Sequence, residues 1–172
     1  SRRRHTRYIG DWSSDVVLFR SPGCTYLYQG EELALPEVPN LPESELADPI
    51  WKRTSGKEKG RDGCRVALPW DEESAHENFK GLSAAVQEGN SDSMLNYYRK
   101  AIALRKELCV NEEIEFLDTP KGVIGFTRGT NWYVYTNFNE APVTLPSGKV
   151  LISSAPIVDN QIPASATVWV SN

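Results

Sequence analysis

Residues 24–35 read CTYLYQGEELAL, a short apolar run that stops at a glycine and is followed by two adjacent glutamates. Its first six residues are rich in Thr and Tyr and mostly apolar on both faces, and the breaker SPG at 21–23 precedes them. This pattern is typical of a buried strand of a parallel sheet. Loops that leave the carboxyl ends of such strands commonly carry sites. We therefore expect a strand at 24–29 and a site in the loop after Gly30.

The long segment from Glu31 to Ala75 contains five prolines and three glycines and shows little sustained periodicity. Such a stretch is either a functional loop or disordered. Four apolar residues in it favour order, because a solvated linker is poor in large apolar side chains. These anchors are Trp51, Val66, Leu68 and Trp70.

The second half of the chain changes from a helical to a β-strand pattern. Residues 91–108 (SDSMLNYYRKAIALRKEL) repeat apolar side chains at three- and four-residue steps, and Ser91 or Ser93 could cap the start of this predicted helix. Short β-rich runs follow, separated by Gly, Pro, Asn and Asp. They lie at 114–118, 123–129, 132–138, 142–146, 150–154 and 166–171. This pattern predicts a small antiparallel sandwich or barrel, whereas residues 16–20 could end a further helix.

The composition is that of a soluble globular protein, with 40% hydrophobic residues, 24% charged residues and a net charge of −4. No cationic excess is available to hold nucleic acid or an anionic membrane. No apolar run approaches the roughly 18 residues that a membrane span requires. Three widely spaced cysteines and two histidines indicate neither a zinc cage nor a disulfide framework. We expect reduced thiols, a cytoplasmic location, and no metal or cofactor.

The adjacent acids Glu31 and Glu32 do not by themselves form a catalytic pair. Neighbouring side chains in extended or loop backbone point apart, whereas two carboxylates that attack one bond with retention lie roughly 5 Å from each other. The simplest interpretation is that one glutamate caps or salt-bridges the loop while the other is solvated.

A second motif, GRDGCRVALPW, lies at residues 60–70. Arginine binds carboxylates with two parallel hydrogen bonds, so Arg61 or Arg65 could bind Asp62 or one of the two glutamates and fix the long loop. Alternatively, these arginines could contact sugar hydroxyls. Cys64 is expected to be a small buried side chain, because no histidine lies near it in sequence to activate a nucleophile.

The order of YLYQGEEL (26–33), GRDGCRVALPW (60–70) and YYRKAIALRKEL (97–108) before a small β region resembles the C-terminal third of α-glucosidases. These belong to the α-amylase superfamily, glycoside hydrolase family 13, and the resemblance is strongest to the bacterial α-glucosidase and oligo-1,6-glucosidase branch. The resemblance implies an α+β fragment, the tail of a (β/α)8 TIM barrel with its last strand and helix, followed by a small antiparallel β-sandwich. It places the barrel part at residues 1–110 and the sandwich at 111–172.

The family is a retaining one, with an aspartate nucleophile after the fourth barrel strand, a glutamate acid/base after the fifth and a third aspartate after the seventh. None of the three has a counterpart in this sequence, although RHTRY at 4–8 resembles the stretch after the third. The resemblance therefore implies no catalytic residue here. What it implies instead is a wall of the sugar site. The candidate substrate-binding residues are Glu31, Arg53, Arg61, Asp62 and Arg65.

Other candidate groups are weaker. His5 and His76 stand in polar surroundings without a cluster of ligands. Four aromatic residues of the β region could form a sugar-stacking platform, although alternation places at least one set of them in the core. They are Trp132, Tyr133, Tyr135 and Trp169.

Two functions remain open at this point. The chain begins at Ser1 and its only methionine is Met94, so we expect a portion of a longer α-glucosidase-like protein that is inactive by itself. Alternatively, it is a non-catalytic module that binds carbohydrate or associates through open strand edges and an uncovered helix face. The expected partners are therefore an oligosaccharide, a second copy of the chain, or the missing part of the barrel.

Overall fold

The computed structural model describes residues 23–109 and 113–172, and these fall into two compact units. The loop unit is Leu27–Tyr97. The sheet unit comprises Ser1–Tyr26 and Tyr98–Asn172, of which residues 23–26, 98–109 and 113–172 are described. The predicted helix end at 16–20, the RHTRY stretch and His5 lie outside the described residues.

The described part of the sheet unit contains seven antiparallel strands in two sheets. A five-stranded sheet has the order β1-β2-β3-β7-β5, and β4 pairs with β6 in a second sheet. The strands are β1 Glu115–Phe116, β2 Val123–Thr127, β3 Trp132–Asn137, β4 Val143–Thr144, β5 Lys149–Ser153, β6 Gln161–Ile162 and β7 Thr167–Ser171. Each of the six predicted β runs contains a strand, so the prediction of antiparallel strands is confirmed. Strand β6 was not predicted.

The core of the sheet unit follows the two-residue alternation of its strands. One buried cluster joins Val168 and Val170 of β7 to Ile162 of β6 and Leu145, with Val143 of β4 packed against it. The small second sheet therefore packs against one face of the large one through apolar side chains, whose burial stabilises the unit.

Two tryptophans are buried on the other face of the large sheet. Trp132 and Trp169 are 1% and 0% exposed, and their rings meet edge to face with centroids 5.5 Å apart. Trp132 also donates from its ring nitrogen to the carbonyl of Arg128 at 2.7 Å. Buried rings cannot stack on a sugar, so these two belong to the core rather than to a platform.

Three helices are described, and the long one matches the sequence prediction. They are α1 Pro49–Arg53, α2 Ala84–Glu88 and α3 Met94–Leu108. The hydroxyl of Ser93 accepts from the backbone N–H of Asn96 at 3.3 Å, which caps α3 as its sequence indicates. Met94, Tyr98 and Ala101 form the buried stripe of this helix. None of the described helices is long and apolar enough to cross a membrane.

The loop unit has its own small core. Val38, Leu41, Leu46 and Phe79 form a buried cluster, with Trp51 and Val66 packed against it. Short 3-10 turns at Glu31–Leu33, Glu43–Glu45, Asp62–Cys64 and Glu77–Phe79 connect these anchors. The proline-rich segment is therefore ordered, as predicted. Trp70 is an exception, because it is 69% exposed and does not belong to this buried cluster.

The predicted strand at 24–29 is not formed. Residues 24–28 have no regular secondary structure, and Tyr26 is 88% exposed. Leu27 and Tyr28 are also exposed, at 41% and 52%. A strand of a parallel sheet needs neighbours for its N–H and C=O groups, and no part of the described chain pairs with this run. The side chains are those of a strand, but among the described residues this run belongs to neither sheet.

Candidate functional site

The two adjacent glutamates have different roles. Gly30 has a φ of 95°, and the 3-10 turn Glu31–Leu33 starts directly after it. A carboxylate oxygen of Glu32 accepts from the backbone N–H of Gly30 at 2.8 Å, so Glu32 caps its own turn. The half-buried Glu31 donates its backbone N–H to the carbonyl of Tyr28 at 3.0 Å. Glu32 thus has the capping role that the sequence suggested for one of the two glutamates.

The side chain of Asp48 is the centre of the hydrogen bonds in the long loop. Its two oxygens accept from the backbone N–H of Ile50 at 3.0 Å and of Arg61 at 3.1 Å. The first bond caps α1, whose first residue is Pro49. These two bonds, followed by the nearby charges of Arg65 and Arg53, lower the pKa of the Asp48 carboxyl below its ordinary value. Asp48 therefore joins the start of α1 to a backbone segment thirteen residues away.

Asp62 is the buried acid of the site. Its side chain is 7% exposed, and one oxygen accepts from the backbone N–H of Asp48 at 2.9 Å. The Arg65 guanidinium lies 3.8 Å from the other Asp62 oxygen and 3.6 Å from Asp48. Because the Arg65 side chain is half exposed, these ion pairs add little stability, and the backbone hydrogen bonds fix the loop. Arg65 therefore lies beside Asp62, as one predicted alternative stated, but through one nitrogen at ion-pair distance rather than two parallel hydrogen bonds.

Glycines permit this close packing. A Cβ atom on Gly60 would lie 2.5 Å from the Cγ atom of Asp48, and its φ is 75°. A Cβ atom on Gly63 would lie 2.5 Å from the carbonyl oxygen of Val38, and the Gly63 carbonyl accepts from the Val38 N–H at 3.0 Å. The two glycines of the GRDG sequence at 60–63 thus allow the backbone to lie close to Asp48 and Val38, in addition to forming a turn.

The remaining predicted site residues are on the surface. Arg53 ends α1 and Arg61 precedes the turn Asp62–Cys64, and both side chains are exposed. Arg61 meets Asp48 through its backbone N–H rather than its guanidinium. The prediction that Cys64 is buried is wrong, because its turn lies on the surface and its side chain is exposed. Its carbonyl oxygen accepts from the Tyr28 hydroxyl at 3.3 Å.

Sequence reasoning missed two residues of this site, Asp48 and Gln87. No helix was predicted at residues 49–53, but an Asp-Pro pair is a helix-start signal that could have identified Asp48 as a cap. Gln87 has no comparable signal in the sequence, although its side chain donates to the carbonyl of Leu33 within the glutamate turn.

Metal ligation finds no support in the described ranges. No group of three or more His, Cys, Asp or Glu side chains there could hold a metal ion. His76 caps the turn Glu77–Phe79 by accepting from the Asn78 N–H, and its ring lies 5.7 Å from that of Phe79. The imidazole thus has a structural partner at its Nδ1 atom.

Several known proteins are similar to this chain in sequence. The sequence model described as "Alpha amylase, catalytic domain" matches residues 2–112. A probable alpha-glucosidase of Rhizobium meliloti (strain 1021) is 36% identical over 160 residues, which cover 77% of this chain and 29% of that protein. A probable oligo-1,6-glucosidase 2 of Bacillus subtilis (strain 168) is 26% identical over 121 residues, covering 54% of this chain and 22% of the relative. The chain thus spans less than a third of these relatives.

Solved structures agree on the fold. The trehalulose synthase MutB from Pseudomonas mesoacidophila MX-45 superposes with a TM-score of 0.72 at 18% identity, covering 94% of this chain and 38% of that one. The alpha-glucosyl transfer enzyme XgtA superposes with a TM-score of 0.69 at 26% identity, covering 91% and 34%. Together with the match over residues 2–112, these likenesses show that the chain belongs to the α-amylase family, glycoside hydrolase family 13.

Proposed function

We propose that this chain is the C-terminal portion of an α-glucosidase-like glycoside hydrolase that acts on α-glucosidic bonds of short oligosaccharides. Two relatives described as alpha-glucosidase or oligo-1,6-glucosidase support the substrate class. In this proposal residues 1–110 are the end of a (β/α)8 barrel, with α3 as its last helix, and residues 111–172 are the β-sandwich that follows. A bacterial, cytoplasmic enzyme fits the same proposal.

The observation that carries the proposal is the state of residues 24–28. Tyr26, Leu27 and Tyr28 are exposed although their sequence is that of a buried strand. A large apolar side chain gains roughly 1.5–3 kcal/mol on burial, so three exposed side chains in one β-prone run indicate missing neighbours. The last strand of a barrel, described without the strands beside it, would look like this.

In the complete site, Glu31 would form part of the wall beyond the cleaved bond. The turn that carries it starts at Glu31, three residues after Tyr28, as expected for a loop at the carboxyl end of a barrel strand. Arg53 and Arg61 are exposed and available to sugar hydroxyls. Asp62 would hold the loop behind them by accepting from the Asp48 N–H, and the Arg65 guanidinium lies at ion-pair distance from both acids.

The chain by itself is proposed to be inactive. Hydrolysis with retention needs two carboxylates roughly 5 Å apart across one bond, and Glu32 is already bonded to Gly30. The resemblance places all three family carboxylates on barrel segments without a counterpart in this sequence.

The direct test incubates the pure chain with maltose, isomaltose and p-nitrophenyl α-glucoside. We expect no release of glucose or nitrophenol. Turnover that disappears in Glu31→Gln but persists in Glu37→Gln would overturn the proposal, because the exposed Glu37 serves as a matched control in the same loop.

The same exposed run supports a second candidate, a module that binds carbohydrate or associates with itself. An exposed, β-prone run whose backbone is in no sheet can form a strand by pairing with another chain. Calorimetry with malto-oligosaccharides tests sugar binding, and size-exclusion chromatography tests association. If the run mediates association, Tyr26→Ser should yield a monomer, whereas Val158→Ser should not, because the equally apolar Val158 is exposed in a different segment. If calorimetry shows no heat of sugar binding and chromatography shows no dimer, this second candidate is excluded.

A further inference from the structure

Gln87 is a buried polar residue that no part of the site chemistry uses. It lies in the last turn of α2 and is 5% exposed. A buried amide costs free energy unless its hydrogen-bonding groups are satisfied, so its partners show what it holds.

The side chain of Gln87 bonds to three separate segments. Its Nε2 group donates to the carbonyl of Leu33 at 2.9 Å and to that of Leu82 at 3.0 Å. Its Oε1 atom accepts from the backbone N–H of Leu95 at 3.1 Å. Two carbonyls on one side and one N–H on the other define the amide orientation, and both N–H donors are used.

The main chain of Gln87 adds to this link. Its carbonyl oxygen accepts from the Ser93 hydroxyl at 2.7 Å and from the Asn96 side-chain amide at 3.0 Å. Leu95 and Asn96 lie in the first turn of α3, where backbone N–H groups have no intrahelical partner. Gln87 therefore supports the start of α3 by two routes.

The bond to Leu33 is the functionally relevant one. Leu33 ends the 3-10 turn that begins at Glu31, and its own side chain is 3% exposed. A carbonyl accepts along directions close to its plane, so holding the Leu33 carbonyl restricts the rotation of the whole three-residue turn. The position of Glu31 is then tied to the start of α3 through one side chain.

We propose that Gln87 is a positioning residue that sets the orientation of the Glu31 turn by anchoring it to the start of α3. Its importance for catalysis rests on the proposed function, in which Glu31 forms a wall of the sugar site. The geometric claim concerns only hydrogen bonds within the loop unit. Gln87 touches no substrate in this account and acts only through the turn.

Two variants separate the donor and acceptor functions of the amide. Gln87→Met keeps a long side chain but removes both the donors and the acceptor. Gln87→Glu keeps an acceptor for the Leu95 N–H and replaces the donors toward Leu33 and Leu82. If a substitution only loosened the core, Gln87→Met and Gln87→Glu would affect these hydrogen bonds equally. A selective effect is expected instead, because only Gln87→Glu keeps the bond to the Leu95 N–H.

The measurement is amide hydrogen exchange by NMR on the full chain at pH 7. We expect the amides of Ala34 and Leu35, which bond to Glu31 and Gly30, to exchange about tenfold faster in both variants, as for one lost hydrogen bond. The Leu95 amide should exchange about tenfold faster in Gln87→Met and near its original rate in Gln87→Glu.

Two controls complete the design. The Asn96 amide, which bonds to the Ser93 hydroxyl, should keep its rate, and so should every amide in Gln29→Met, a change at an exposed glutamine. Unchanged Ala34 and Leu35 amides, equal acceleration of Leu95 in both variants, or a uniform acceleration would each overturn the positioning role. If the amide exchange rates follow the expected pattern but the tests of the proposed function fail, the proposed function is refuted and the positioning role of Gln87 is not.

Discussion

Replacing Gly60 with alanine tests whether the close contact with Asp48 organises the long loop. The φ of Gly60 is 75°, a left-handed value that costs an L-residue roughly 1–2 kcal/mol. Its new Cβ atom would also lie 2.5 Å from Cγ and 2.6 Å from Oδ2 of Asp48. The carboxylate must then move away from the N–H groups of Ile50 and Arg61 that it now accepts from.

Gly81 is the matched control, because it separates the backbone cost from the contact. Its φ is 79°, and a Cβ atom there would meet nothing within 4 Å. Alanine reduces the entropy of the unfolded chain by about 0.4–1 kcal/mol at either position, so Gly81→Ala should lower the free energy of unfolding by only about 1 kcal/mol. Forced displacement in a packed site typically costs about 1–3 kcal/mol more. Gly60→Ala should therefore be less stable than Gly81→Ala by that difference.

Urea unfolding followed by circular dichroism gives the two free energies, and amide exchange locates the damage. We expect the Arg61 amide to exchange faster in Gly60→Ala and to be unaffected in Gly81→Ala, because its acceptor is the displaced carboxylate. Equal destabilisation by both changes, with an unchanged Arg61 amide, would refute the argument that this contact organises the loop.

Three further predictions concern stability. The pKa of Asp48 is lowered, so its contribution to the free energy of unfolding is complete above the ordinary value of 3.8 and is lost as pH falls through the folded pKa. Asp48→Asn has no such contribution to lose, so its free energy of unfolding in urea titrations should fall less steeply than that of the unchanged chain between about pH 5 and 2. The hydroxyls of Thr136 and Thr167 are buried and 2.9 Å apart, so a double-mutant cycle to valine should give a coupling of about 1 kcal/mol in unfolding experiments, and strict additivity would contradict it. Trp169→Ala should cost about 3–5 kcal/mol by urea unfolding, because the fully buried ring packs against Trp132, and a loss below 1 kcal/mol would contradict the core assignment.

The parts of the fold that depend on local patterns were predictable. Helix α3 has a capping serine and an apolar stripe of Met94, Tyr98 and Ala101, and both features depend only on residues close together in the sequence. Strand β3 likewise alternates between buried and half-buried side chains over its first four residues, whereas every residue of β7 except the last is buried. Strand β6, Gln161–Ile162, lies outside every β-rich run of the sequence, and its pairing with β4 defines it.

The residues that organise the site were only partly predictable. Arg65 and Asp62 were candidates because opposite charges near a turn attract. Asp48 offered a local signal only for its capping bond to Ile50, since its other partner, Arg61, lies thirteen residues away. Gln87 offered none, because Leu33 lies 54 residues away along the chain. Burial was also misjudged for Cys64 and Trp70, whose exposed positions follow from the path of the loop rather than from residue type.

Residues 24–35 illustrate the division between sequence and tertiary structure. The sequence by itself determined the family, the glycine that ends the apolar run, and the impossibility of a catalytic pair made from adjacent glutamates. Only the tertiary structure decided that Glu32 caps Gly30, that Leu33 is held by Gln87, and that Tyr26 is exposed. The physical reason is that side-chain type and periodicity are local properties, whereas strand pairing and buried hydrogen bonds require partners that are distant in sequence.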